Sequence, residues 1–326
     1  MGVTVLITYE ATERHREIIA GQVGSLAEVK YLNDFNQRKR TSAIKDAEVL
    51  IGWSPERELG QRGLQNLTSA GLYQLLSAGA DHVPFKKLPK KMIVASNAGA
   101  YAQPMAEHVM AMALALAKRL PEKHKELEEG VFDSRTRNKG VQGSIWGIVG
   151  FGGTGKTVAR LTRAFGSHIH AVNTSGKSQE PADLVVKSDR LPEVLEVSDY
   201  LVLTLPLNRH TRGMIGAKEL ATMKKDAVLI NVARGEIVEQ DALYEHLVAN
   251  PEFMAGVDAW WTEPMRHGEF KVDYPFFDLP NFLGSPHNSP LVPGSISNAV
   301  RLSAENVRRF IKGEQTRGVI NPSDYI

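Results

Sequence analysis

Short apolar runs rich in β-branched residues recur along the chain and alternate with longer stretches whose apolar residues follow a helical spacing. Runs of that length bounded by turn-forming residues read as strands buried on both faces, and their alternation with helices reads as parallel sheet. Candidate strands in the first part of the chain lie at 3–8, 49–52, 71–76 and 92–95. A second, more regular series lies at 145–149, 168–173, 200–205, 227–232, 254–257 and 282–284. Between the two, residues 104–120 carry Met, Ala and Leu and predict a buried linker helix, while the charged stretch 121–140 predicts an exposed arm. The last helical pattern, 295–312, follows the second series, and its most economical place is back against the first. The whole pattern predicts an α/β chain of two doubly wound parallel-sheet, Rossmann-like domains. Residues 1–100 and 289–326 form a discontinuous substrate domain, and a dinucleotide-binding domain of residues 101–288 is inserted into it.

Composition narrows the function classes. The chain has 326 residues, 42% hydrophobic and 23% charged, enough for two ordinary cores. Lys and Arg number 39 against 37 Asp and Glu, and a net charge of +2 gives no reason to expect nucleic acid or an anionic membrane as partner. The absence of cysteine excludes disulfides, Cys-ligated zinc and thiol nucleophiles. The longest apolar run, 109–117, is far short of the ~20 residues of a membrane span. The N-terminus reads as a first strand and not as an export signal, so a soluble cytoplasmic protein is expected.

The stretch GFGGTGKT, residues 150–157, fits two phosphate-binding patterns. Gly150, Gly155, Lys156 and Thr157 spell a triphosphate loop, whereas Gly150, Gly152 and Gly155 spell the glycine pattern of a dinucleotide fold. The first pattern needs a carboxylate at the end of a neighbouring strand to hold magnesium, and the later strands end instead in Asn173, Pro206 and Asn231. The second needs its three glycines for a tight turn, close approach of pyrophosphate and helix packing, and all three are present. On that reading Gly153 and Thr154 face the pyrophosphate, and Lys156 and Thr157 begin the following helix. The dinucleotide pattern also asks for an acidic residue about 20 positions on, at the end of the second strand. Asn173, Thr174, Ser175, Gly176 and Lys177 stand there. These permit NAD through Asn173, but they also suit a 2′-phosphate that a carboxylate would repel, so the cofactor reading is NAD(P) with a lean to NADP.

Three further stretches fall at the ends of successive strands, where ligands gather in a doubly wound sheet. They are Asn231-Val232-Ala233-Arg234-Gly235-Glu236, then Asp258-Ala259-Trp260-Trp261-Thr262-Glu263, then Ser285-Pro286-His287-Asn288-Ser289. Their arginine, glutamate and histidine suit hydride transfer next to a carboxylate. An arginine fork can hold a 2-oxo acid, a histidine can protonate its carbonyl oxygen, and a glutamate on the other ring nitrogen fixes the tautomer.

These residues, with the stretches 75–81, 96–99, 106–108 and 197–206, resemble the D-isomer-specific 2-hydroxyacid dehydrogenase family, which includes glyoxylate/hydroxypyruvate reductases, D-lactate dehydrogenases and phosphoglycerate dehydrogenases. The resemblance runs over nearly the whole chain, and Asn231-Val232-Ala233-Arg234-Gly235-Glu236-Ile237-Val238 is its most specific part. It implies that Arg234 binds and polarises substrate, that His287 is the general acid/base and that Glu263 is its partner. It further implies that the amides of Ala78 and Gly79 take the substrate carboxylate, that Leu205 and Pro206 flank the adenosine, that Ala233 touches the nicotinamide end and that Asp258 holds the carboxamide. Thr204 departs from the family, where histidine or asparagine is commoner, and Asn173 replaces the usual aspartate. The formate dehydrogenase branch carries glutamine where Glu263 stands, which argues against formate as substrate.

Other polar residues earn no role by pattern. His108, His168, His170 and His210 read as packing or surface residues, and Glu107-His108 lacks the second histidine of a helical zinc motif, so no metal site is expected. Trp260 and Trp261 read equally as packing or as walls of a substrate pocket, and Tyr101 reads as structural. The expected protein is a homodimeric NAD(P)-dependent reductase of a small 2-oxo acid, with residues 104–140 as exchange surface. A non-catalytic NAD(H)-sensing module on the same fold and a triphosphate hydrolase are the alternatives.

Overall fold

Twelve strands form among the described residues, 2–325 of this computed structural model, and every strand pairing in its two sheets is parallel. The chain divides into two compact units, Met1–Tyr101 with Leu291–Ile326, and Ala102–Pro290. The first holds β1 (Val3–Ile7), β2 (Ala27–Tyr31), β3 (Val49–Gly52), β4 (Leu72–Leu75) and β5 (Ile93–Ala95) in the order β2-β1-β3-β4-β5. The second holds β6 (Ile145–Val149), β7 (His168–Val172), β8 (Leu184–Val186), β9 (Tyr200–Leu203), β10 (Val228–Asn231), β11 (Met254–Val257) and β12 (Phe282–Gly284). Their order is β12-β11-β10-β9-β6-β7-β8. Connections reverse direction between β1 and β3 in one sheet and between β6 and β9 in the other, and such switch points open a crevice at the carboxyl ends of the strands. Most of these strands are apolar on both faces because helices cover both sides, and each sheet accordingly has two apolar cores.

Two strands, β2 and β8, are not among those the apolar runs predict, and both are sheet edges. Ala27-Glu28-Val29-Lys30-Tyr31 alternates with charge and is only half-buried, and Leu184-Val185-Val186 is three residues long. An edge strand has one unpaired side, so less of its composition is dictated by burial.

The helix Ala102–Ala117 belongs to the second unit. Ala106, Val109, Met110, Met112, Ala113 and Leu116 are buried in the second unit's core, with Ile148, Val158, Val202, Ile230 and Met254. The segment after it forms a short helix, Leu120–Glu128, and then runs without regular structure to the start of β6. The final helix, Ser295–Ile311, lies in the first unit. Val300, Ala304 and Val307 pack with Val5, Ile7, Ile51 and Leu72, and Asn306 Nδ2 donates to Gln74 Oε1 at 2.6 Å.

Candidate active site

The glycine loop joins β6 to the helix Gly153–Arg163, beside the switch point. Its three glycines answer to three different demands. Gly150 has φ 96°, and a Cβ there would lie 2.7 Å from the Thr204 carbonyl at the end of β9. A Cβ on Gly155 would strike the Gly150 carbonyl oxygen. Around Gly152 nothing lies within 4 Å of the Cβ position, so this is the glycine that leaves space for a ligand. Thr204, noted in the sequence only as a departure, donates its hydroxyl to the Gly150 carbonyl at 2.6 Å and braces the turn.

The helix begins earlier than its sequence suggested. Gly152 is its N-cap, and Gly153 and Thr154 are its first helical residues, so their amides are among the donors a helix leaves unmatched at its start. Thr157, the residue that a triphosphate loop would turn toward magnesium, is buried. Its hydroxyl donates to the Gly153 carbonyl at 3.0 Å and accepts from Arg160 at 2.8 Å. Among the described residues no group of three or more His, Cys, Asp or Glu is placed to hold a metal.

At the end of β7, Asn173 organises its own loop. Its Oδ1 accepts from the amides of Ser175 and Gly176 at 3.1 and 2.7 Å and from the Ser175 hydroxyl at 3.2 Å, and its Nδ2 donates to the Lys177 carbonyl at 2.9 Å. The amide oxygen therefore already has three donors. Thr174 and Ser175 stand exposed on that loop.

The Arg, Glu and His stretches all lie in the second unit, at the carboxyl ends of β10, β11 and β12. Asn231, buried, folds the turn after β10. Its Oδ1 accepts the Ala233 amide at 3.0 Å and its Nδ2 donates to the Arg234 carbonyl at 2.8 Å. Arg234 is partly exposed, and its Nη1 donates to the Ala233 carbonyl at 2.7 Å. Gly235 follows because the Trp260–Trp261 peptide lies against it, where any Cβ would collide. That contact places the arginine turn beside the glutamate turn.

Glu263 is buried, and its Oε1 accepts both the Trp260 amide at 2.7 Å and His287 Nδ1 at 2.8 Å. Burial pushes its carboxyl pKa up, but the hydrogen bond and charge of His287, the Trp260 amide and the charge of Arg234 outweigh it and hold the value below the ordinary one. With Nδ1 committed to Glu263, Nε2 is the nitrogen of His287 left for proton exchange. His287 sits at φ 51°, a left-handed conformation that costs a non-glycine residue about 1–3 kcal/mol and persists only where its surroundings impose it.

Those surroundings centre on Asp258. Its carboxylate is fully buried, and it accepts from the Ser285 hydroxyl at 2.5 Å and from the Asn288 and Ser289 amides at 3.2 and 3.3 Å. The residue read as a holder of the nicotinamide carboxamide thus spends both oxygens on the loop that carries His287. His108, passed over in the sequence, reaches Ser285 Oγ at 2.9 Å. A histidine on an apolar helix gives no signal of this in one dimension. Trp260 and Trp261 are packing residues whose indole nitrogens donate at 2.7 Å to the Ser285 and Val238 carbonyls, bracing the same turns. Leu205, half-buried, packs against the second unit's core, and the Pro206 carbonyl accepts from Thr211 at 2.7 Å. Ala78 and Gly79 belong to the first unit, just after β4, where Ser77 Oγ donates to the Gly79 carbonyl at 2.8 Å. Tyr101, in the same unit, donates to the Leu76 carbonyl at 3.0 Å and is buried.

The family model described as D-isomer specific 2-hydroxyacid dehydrogenase, NAD binding domain, matches residues 110–289. The chain is 30% identical to a glyoxylate reductase of Korarchaeum cryptofilum over 251 residues, 75% of this chain and 74% of that one. It is 29% identical to a D-3-phosphoglycerate dehydrogenase of Methanocaldococcus jannaschii over 305 residues, 91% of this chain but only 56% of that longer protein. A crystal structure from Pyrobaculum aerophilum, described provisionally as a formate dehydrogenase, superposes with a TM-score of 0.81 at 25% identity and covers 100% of both chains. With the family model covering more than half of its length, the chain belongs to the D-isomer specific 2-hydroxyacid dehydrogenase family and is an oxidoreductase that uses a nicotinamide cofactor.

Proposed function

We propose that the chain reduces a small 2-oxo acid of the glyoxylate or hydroxypyruvate type to the D-2-hydroxy acid. The observation that carries this reading is the 2.8 Å bond between His287 Nδ1 and buried Glu263, with Arg234 close enough for its charge to act on the same carboxylate. When bound, a reduced nicotinamide would supply the hydride for the 2-carbon. His287 gives its Nε2 proton to the carbonyl oxygen, Glu263 holds the ring through Nδ1, and Arg234 holds the substrate through its guanidinium fork. The amides of Ala78 and Gly79 take the carboxylate by the family resemblance. On the cofactor side, Gly150, Gly152, Gly153, Thr154 and Gly155 would hold the pyrophosphate, and by the family resemblance Leu205 and Pro206 would flank the adenosine and Ala233 would meet the nicotinamide end. By the same resemblance Asp258 would hold the nicotinamide carboxamide.

NADP is the preferred cofactor. A ribose diol needs an acceptor, and the Asn173 oxygen is already engaged by three donors, whereas a 2′-phosphate needs donors, which Thr174 and Lys177 can offer. The working form is a homodimer, supported by the exposed apolar side chains Leu120, Leu127, Val131 and Phe132 on the arm, and its place is the cytoplasm, where nicotinamide cofactors are abundant. No helix among the described residues is long and apolar enough to cross a membrane.

A panel of 2-oxo acids assayed with NADH and with NADPH tests substrate and cofactor together. The expected result is turnover of glyoxylate or hydroxypyruvate with the better kcat/KM for NADPH, and equal or better use of NADH would remove the NADP assignment. His287→Ala should lower kcat by about 10²–10⁴-fold with little change in cofactor affinity. Near-normal activity in that variant, or no turnover of any 2-oxo acid by the unaltered protein, would favour the cofactor-sensing alternative.

A further inference from the structure

Behind the Glu263–His287 pair lies a second chain of side chains, on the opposite side of the His287 loop. His108 on the helix Ala102–Ala117 reaches Ser285 Oγ at 2.9 Å and stands 3.6 Å from Asp258 Oδ1. Ser285 Oγ in turn lies 2.5 Å from Asp258 Oδ1. Proton counting gives the chain a direction. The carboxylate can only accept, so Ser285 donates its single hydroxyl proton to Asp258, and His108 must therefore present a protonated Nε2 to the serine oxygen. Asp258 also receives the Asn288 and Ser289 amides, the two residues that follow His287. On the near side, the Trp260 indole donates to the Ser285 carbonyl, and the His287 amide donates to that same carbonyl at 3.1 Å. The loop is thus clamped immediately before and immediately after the one residue in it with left-handed backbone.

We propose that His108 is a positioning residue for the reaction, acting through Ser285 and Asp258 to hold the His287 loop where its imidazole meets Glu263. The inference rests on the reading of His287 as the acid/base. Without the His108 donor, the Ser285 hydroxyl loses the partner that orients it toward Asp258, and the loop gains a route to relax from its left-handed geometry. A displacement of about 1 Å at a proton donor is enough to cost on the order of 100-fold in rate.

The test uses the full-length protein. His108→Leu should lower kcat by about 10- to 100-fold while cofactor affinity changes little. His108→Gln, whose Nε2 can donate from nearly the same place, should recover most of the loss. Ser285→Ala should behave like H108L, and the H108L/S285A double variant should lose no more than either alone, because both break one chain. Ser285→Ala also keeps the test open should H108L fail to fold. The readout independent of turnover is the downfield proton resonance of His287 Nδ1, identified by its loss in His287→Gln. That resonance should shift or broaden in H108L and S285A and return in H108Q. If H287Q is inactive while H108L and S285A keep both kcat and the resonance, the positioning role is overturned and the acid/base reading stands. If H287Q itself remains active, the acid/base reading fails, and the positioning role falls with it.

Discussion

At the scale of single residues, Glu263 shows how burial and partners compete. Desolvation alone would favour its neutral form, yet the carboxyl is held below its ordinary value by the His287 bond and charge, the Trp260 amide and the charge of Arg234. A carboxyl whose pKa is lower folded than unfolded stabilises the fold above its unfolded pKa, and that contribution disappears as pH falls through the folded value. Glu263→Gln should therefore cost stability at neutral pH, on the order of 1–3 kcal/mol for a buried pair that loses its charged partner. The cost should persist down to the ordinary carboxyl range and shrink below it. Urea unfolding of both proteins from neutral pH to about pH 3 measures the difference. A gap that stays constant to the acid end would mean that the ionised carboxylate is not what stabilises this site. At the same scale, Glu263 and His287 stand out in the sequence by residue type at strand ends, and the structure brings them within 2.8 Å of each other. His108 does not stand out, because a helical position says nothing of which strand-end loop lies across from it.

Elements translate residue choice into geometry, and the glycine loop separates two kinds of demand that its spelling alone confounds. Gly150 and Gly155 are required by the protein's own backbone, at the Thr204 peptide and the Gly150 carbonyl, while Gly152 is required by nothing in the chain. Gly155→Ala and Gly150→Ala should each destabilise the second unit by about 1–3 kcal/mol, through overpacking in one case and left-handed strain with a clash in the other. Gly152→Ala, at φ −87°, should leave stability within about 0.5 kcal/mol and weaken binding of the nicotinamide cofactor by more than about tenfold. Thermal melts and cofactor titration of the three variants separate these effects, and a strong loss of stability in G152A would refute the assignment of that open face to the cofactor. The same division explains what sequence disclosed about the fold. Strands buried on both faces were visible as apolar runs, since both cores write on them. The edge strands β2 and β8 were invisible, and the start of the helix at Gly153 was misplaced, because glycines carry no periodic signal. The Asn173 loop was likewise legible as lacking a carboxylate, whereas the way its amide closes on itself depends on backbone turns that composition does not specify.

For the whole molecule, the boundary of the cofactor unit matters more than the number of units. The helix Ala102–Ala117 reads in sequence as a connection, yet its apolar face is part of the second unit's core, where it packs against the helix Gly153–Arg163, β10 and β11. Ala102–Pro290 is a single continuous stretch, and its two apolar cores are drawn from that stretch alone. The fragment 102–290 should therefore fold cooperatively and bind the nicotinamide cofactor without the first unit. At a cofactor concentration of about 100 times its Kd, binding should stabilise the fragment by about 2.7 kcal/mol. A shorter fragment that starts just before β6 keeps every strand of the sheet but removes Ala106, Val109, Met112, Ala113 and Leu116, baring the faces of Ile148, Val202 and Ile230. Burying a large aliphatic side chain contributes about 1.5–3 kcal/mol, so losing Val109, Met112 and Leu116 together removes an amount comparable to the whole stability of about 5–15 kcal/mol that a domain of this size has. That shorter fragment should not fold, with or without NADPH. Circular dichroism melts of the two fragments decide the matter. A folded, cofactor-binding protein without the helix would return Ala102–Ala117 to the role of a linker.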